Sequence, residues 1–169
     1  MVVKAVLLVF PFSVILAAFC DLFTMKVPNY IPVLLSLGFV VAGLSLGIPW
    51  MQFAMNVAVA CAVLLVGVLL FAFGVMGGGD AKLAAGIVLW LGLSGVTLEF
   101  LLLLSIYGGL LTLALLACRY TLVLPAIVYR YQWSSRLLSK ETGIPYAITM
   151  SVAALQVYPR SMWFEYLVL

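Results

Sequence analysis

The 169-residue chain is 67% hydrophobic and only 8% charged, with a mean hydropathy of +1.34. Those values exclude an ordinary water-soluble domain, whose surface needs far more polar area. Its net charge of +3 comes from scattered basic residues, without the concentrated Lys/Arg footprint of a nucleic-acid binder, so no nucleic-acid partner is expected.

Continuous Leu/Val/Ala runs do not alternate as the strands of a membrane barrel must. The expected fold is all-α, a polytopic transmembrane bundle of about six helices in contact with the lipid bilayer, each helix satisfying its own backbone hydrogen bonds. The first run spans Val2 to Cys20 with Pro11 as a tolerated kink. Asp21 follows it directly and no small-residue cleavage site does, so it reads as a retained helix rather than a signal peptide. Ile31 to Leu46 is the second run, stopped by Gly47, Ile48 and Pro49. Met51 to Phe73 is the third, giving way to Gly74 and then Gly77, Gly78, Gly79 and Asp80. Ala81 to Leu93 is the fourth and Val96 to Ala117 the fifth. After Arg119 comes the most polar segment, with Arg130, Arg136, Lys140 and Glu141, and a sixth run follows from Ile144 to Val157.

The fourth and sixth runs fall short of the roughly 20 residues that cross a hydrocarbon core, so they are expected to extend into their flanks or to lie in thinned bilayer. Trp163, Phe164 and Tyr166 suit an interfacial aromatic belt. Cys20, Cys61 and Cys118 lack disulfide or zinc spacing and read as apolar packing residues. With no repeat and no linker, residues 1–169 are expected to form one domain.

If six helices alternate in direction, Lys26, Lys82, Arg119, Arg130, Arg136 and Lys140 share one side, which the positive-inside rule makes cytoplasmic. Both termini then lie outside, and Asp21 and Asp80 fall at the same membrane face. The sequence has no His, which removes the usual Ser-His and Cys-His pairs and the commonest metal ligand. Of the five acids, Glu99, Glu141 and Glu165 are placed at the outer end of the fifth helix, in the basic loop and in the tail. Asp21 and Asp80 remain as a possible catalytic pair. Two adjacent carboxylates share a proton, so that one can deprotonate water while the other polarises a peptide carbonyl, with no metal and no cofactor. Acids at helix ends can also merely mark the interface, and that reading stays open.

Gly77, Gly78 and Gly79 would each cost a helix up to about 1 kcal/mol against Ala, which implies a backbone requirement beside Asp80 or else a flexible loop. Pro28 and Asn29 after Asp21 read as a turn and a helix cap. Lys82 either helps to hold Asp80 ionised or adds to the positive-inside bias.

Together these residues resemble the prepilin peptidase family of membrane aspartic peptidases. Its G-x-G-D motif is matched by Gly77-Gly78-Gly79-Asp80, and its x-Lys-Leu extension by Ala81-Lys82-Leu83. Its first aspartate, set after the first membrane helix and before an Ile-Pro-Asn element, is matched by Asp21 ahead of Val27-Pro28-Asn29. Ile144-Pro145-Tyr146-Ala147 resembles the small members that serve Tad/Flp-type pili. The resemblance implies cleavage of prepilin or pseudopilin leaders at the cytoplasmic face of the bacterial inner membrane. It implies that Asp21 and Asp80 activate water, that Gly77 and Gly79 shape the site, and that Lys82 and Asn29 support it. The N-terminal Cys-x-x-Cys region of the large bifunctional members is missing, so methyltransferase activity is not expected. The rival readings are a small transporter or proton relay, and a non-catalytic subunit of a pilus or secretion assembly.

Overall fold

A computed structural model describes residues 2–120, 132–139 and 143–168, and all regular structure among them is helical. The six apolar runs each become helix. The first is split into α1 (Val2–Leu7) and α2 (Val9–Thr24); the others are α3 (Tyr30–Leu46), α4 (Trp50–Ala72), α5 (Gly78–Leu91), α6 (Gly95–Tyr120) and α8 (Tyr146–Val157). Two short helices complete the described chain: α7 (Gln132–Leu138), and α9 (Met162–Val168) after a 3-10 turn at Tyr158–Arg160. Arg130, Lys140 and Glu141 of the basic loop lie outside the described residues.

Pro11 does more than kink the first run. It has no N–H to give to the carbonyl of Leu7 four residues back, and α1 ends there. That carbonyl instead accepts a hydrogen bond from the Tyr158 hydroxyl at 2.9 Å. The break therefore joins the first and last parts of the bundle.

Three helical stretches, Ala5–Thr24, Trp50–Ala72 and Gly95–Tyr120, are long and apolar enough to cross a bilayer, and Tyr30–Leu46 is a shorter apolar helix. The chain is accordingly a membrane protein. The shortness of the fourth run has another cause than thin bilayer. Residues from Ala81 to Leu91 are buried apart from Lys82, and α2, α3, α4, α6 and α8 all pack against α5. A helix apolar all round is a core helix, and α5 is wrapped by protein rather than lipid. Gly67 and Ala81 set the closest approach: a Cβ at Gly67 would stand 2.7 Å from that of Ala81, so α4 lies directly on α5.

At the end remote from Asp80, Phe10, Phe39, Trp90, Tyr158 and Trp163 form an aromatic cluster. Trp163 corrects the expectation of an interfacial belt, because it is fully buried and donates its ring N–H to the Trp90 carbonyl. Folding α9 back on the bundle gives the indole both apolar cover and an acceptor, which buried Trp requires. Tyr166 is exposed. The three cysteines are free, and Cys61 is exposed rather than packed.

Candidate active site

On α2 the buried residues Phe10, Val14, Ala17 and Asp21 recur at three- and four-residue intervals, which places them on one helical face. The face that packs against α8 thus carries Asp21 into the bundle, where it is 5% exposed. A buried carboxylate needs donors, and Asp21 has one: the backbone N–H of Ala147 gives a hydrogen bond to its Oδ2 at 2.9 Å. Ala147 lies in the first turn of α8, where backbone N–H groups have no partner within the helix and favour negative charge. Directly after Asp21 the chain turns away through Met25, whose φ of 55° is left-handed and whose N–H bonds the Asp21 carbonyl at 2.8 Å. A left-handed residue other than glycine costs roughly 1–2 kcal/mol, a strain typical of functional sites.

Asp80 sits in the first turn of α5, ahead of the apolar stretch 81–93. The backbone N–H of Gly77, the residue that precedes the helix, bonds its carboxylate. This is the return half of a capping box. Burial, with the charge of Asp21 as second cause, pushes Asp80 up to about 6 against the pull of that N–H. Asp21 is therefore near enough to act on Asp80 electrostatically, and both line one cleft of about 860 Å³.

The glycines have separable reasons. A Cβ on Gly77 would stand 2.8 Å from Asp80 Oδ2, and one on Gly79 would stand 3.0 Å from Val27 Cβ and 3.2 Å from the Val27 carbonyl oxygen. Gly78 would make only ordinary contact with Phe71, at 3.5 Å. None of the three has a positive φ, so the requirement is space: Gly77 for the carboxylate, Gly79 for the segment that follows Asp21. Left-handed backbone is needed just before them, at Gly74 (φ 71°), where Val75 N–H closes on the Leu70 carbonyl to end α4.

Asn29 and Lys82 face away from this chemistry. Lys82 Nζ donates to Asn29 Oδ1 at 2.8 Å, and both line a different groove. Asn29 precedes α3 without a side-chain cap bond, which corrects the expected capping role. Its side chain ties the loop after Asp21 to α5 instead, and Pro28 leads into α3 by accepting the Ile31 N–H at 3.1 Å. Glu99 pairs with Arg160, and Glu165 is exposed on α9.

In the sequence Arg119 read only as a basic residue of the cytoplasmic side, and Tyr146 and Ala147 only as part of a resemblance, so the place of Arg119 and Tyr146 in the cleft and the Ala147 N–H were missed. Arg119 bonds the carbonyls of Leu137 at 2.7 Å and Gly143 at 3.0 Å, fastening α6 and α7 to the strand of chain that enters α8. Pro145 before an apolar run was the available signal, since it marks a helix start and hence free N–H donors. Among the described residues no cluster of three or more His, Cys, Asp or Glu is placed to hold a metal.

A model of the type IV leader peptidase family matches residues 8–117, a span that holds both aspartates and the glycines. No curated protein and no solved structure matches the chain. With more than half of its length matched by that model, the chain belongs to the type IV leader peptidase family.

Proposed function

We propose that this peptidase is of the aspartic type, with Asp21 and Asp80 as its catalytic pair, and that it removes the leader of type IV prepilin-like proteins. The observation that carries the reading is the convergence of two carboxyl groups from different helices on one cleft, with the charge of one felt by the other. In such a pair the ionised carboxylate takes a proton from water as its oxygen attacks the peptide carbonyl carbon. The protonated carboxyl gives its proton to the carbonyl oxygen; on collapse of the tetrahedral intermediate the carboxyl that took the water's proton passes it to the departing amine, and the other carboxylate takes a hydroxyl proton back as the new carboxyl group forms. No cofactor enters this scheme.

Gly77, Gly79, Pro28, Asn29 and Lys82 shape the site indirectly, through space for Asp80 and through the fastening of the 25–29 segment, whereas Gly78 lines the cleft without a steric requirement of its own. The expected substrate is a prepilin or pseudopilin with a short basic leader and an apolar helix, of the Flp-like class. Methyltransferase activity is not part of the proposal.

Lys26 and Arg119 stand at the cleft. The positive-inside rule then supports a cytoplasmic cleft in a bacterial inner membrane, with both termini on the opposite side. Placement of the acids at the bundle end favours this over a proton relay, whose acids belong nearer the midplane, and over a non-catalytic assembly subunit. Membranes holding the protein should convert a co-expressed prepilin of the same genome to a shorter form whose new N-terminus lies at the leader boundary. An unprocessed prepilin at normal membrane abundance of both proteins would overturn the proposal.

A further inference from the structure

Beside the cleft a groove of about 480 Å³ opens between the C-terminal end of α4 and one face of α6, with Tyr146 and Met150 of α8 at its base. It shares Val75, Met76 and Tyr146 with the cleft, so the two adjoin. Packing explains it: α4 lies chiefly on α5 and α6 chiefly on α8, which leaves the two long helices apart. From its cleft end the groove follows α6 back from Leu113 to Leu104, about 14 Å at 1.5 Å per residue, away from the acids and into the apolar layer.

Resting on the peptidase reading, we infer that this groove seats the apolar helix that follows the scissile bond of the substrate. A peptide bond held at Asp21 and Asp80, whose continuation is a bilayer helix, must enter the apolar layer next to the cleft. The other large apolar groove, between α3 and α4, shares no lining residue with the cleft, so a helix seated there would not lead from the scissile bond. Leaving lipid gives an apolar helix no hydrophobic gain, so its docking depends on close packing against a wall without unsatisfied polar groups. The wall fits this requirement. A Cβ at Gly109 would meet nothing within 4 Å, while the hydroxyls of Ser105 and Thr112 donate to their own helix, at Leu101 O and Gly108 O.

The test uses the full-length protein in membranes with a co-expressed prepilin carrying a basic leader and one apolar helix. Gly109→Trp, which fills the groove without touching the aspartates, should raise KM for that prepilin about tenfold or more with kcat within about twofold, whereas Val40→Trp in the other groove should leave both unchanged. In an Asp80→Asn background, a benzophenone side chain at Leu113 should cross-link the prepilin helix, and one at Val40 in the other groove should not. An unchanged KM for Gly109→Trp, or Leu113 labelling only lipid or a second copy of the chain, would overturn the inference. Cross-linking is independent of turnover: a Leu113 cross-link with no cleavage by wild type supports the groove and sinks the peptidase reading, and cleavage without that cross-link does the reverse.

Discussion

Replacing Gly77 by Ala should lower activity sharply while leaving the fold intact. Its backbone, at φ −71° and ψ 139°, is extended and open to any residue, so Ala adds no backbone strain. The new methyl would stand 2.8 Å from Asp80 Oδ2 and must open to about 3.4 Å. The atom that yields is the end of a flexible side chain, so stability should change by less than about 1 kcal/mol. The carboxylate moves by several tenths of an ångström, and misplacement by about 1 Å costs about a hundredfold in rate. A fall of about ten- to a hundredfold is therefore expected. Gly78→Ala meets only Phe71 at ordinary contact, and should keep its rate within about threefold while gaining up to about 1 kcal/mol of helix stability. The assay is the initial rate of prepilin shortening at matched membrane abundance, with thermal melting in detergent alongside. Equal losses for the two variants, or full activity in Gly77→Ala, would refute the reasoning.

Because the pair works with one proton shared and Asp80 is held up at about 6, the cleavage rate should fall as pH rises through and above that value and the second carboxyl ionises; a rate still climbing from pH 6 to 8 would contradict it. Lys82→Met removes the bond to Asn29, so about 0.5–1.5 kcal/mol of stability should go with the pH profile of cleavage unmoved, whereas a shifted profile would mean that Lys82 acts on Asp80. Trp163→Ala should cost about 3–5 kcal/mol in detergent melting, since Trp163 is fully buried, and a loss below about 1 kcal/mol would return that residue to the lipid interface.

Hydropathy made the six apolar runs readable because a bilayer admits little else, and exclusion narrowed the acids because so few exist in the chain. The G-x-G pattern was readable as a motif, but its reason was not: the crowding at Gly77 and Gly79 comes from Asp80 and from Val27, and only the second crosses between segments. What stayed hidden was long-range. The donor to Asp21 is a backbone N–H from Ala147, and no side-chain pattern announces it. Asn29 read as a cap because caps are local, whereas its partner Lys82 comes from another helix. Trp163 read as interfacial by type, until α9 folded back to bury it. The left-handed Met25 had no signal at all, since Gly or Asn usually takes that position.

The most direct test compares wild type with Asp21→Asn and Asp80→Asn on one prepilin, by mobility shift and N-terminal sequencing at equal membrane abundance. Asn keeps an oxygen to accept the Ala147 N–H at position 21 and the Gly77 N–H at position 80, so both variants should fold. The account predicts a leader removed by wild type and by neither variant. Processing that survives either substitution would contradict the catalytic pair.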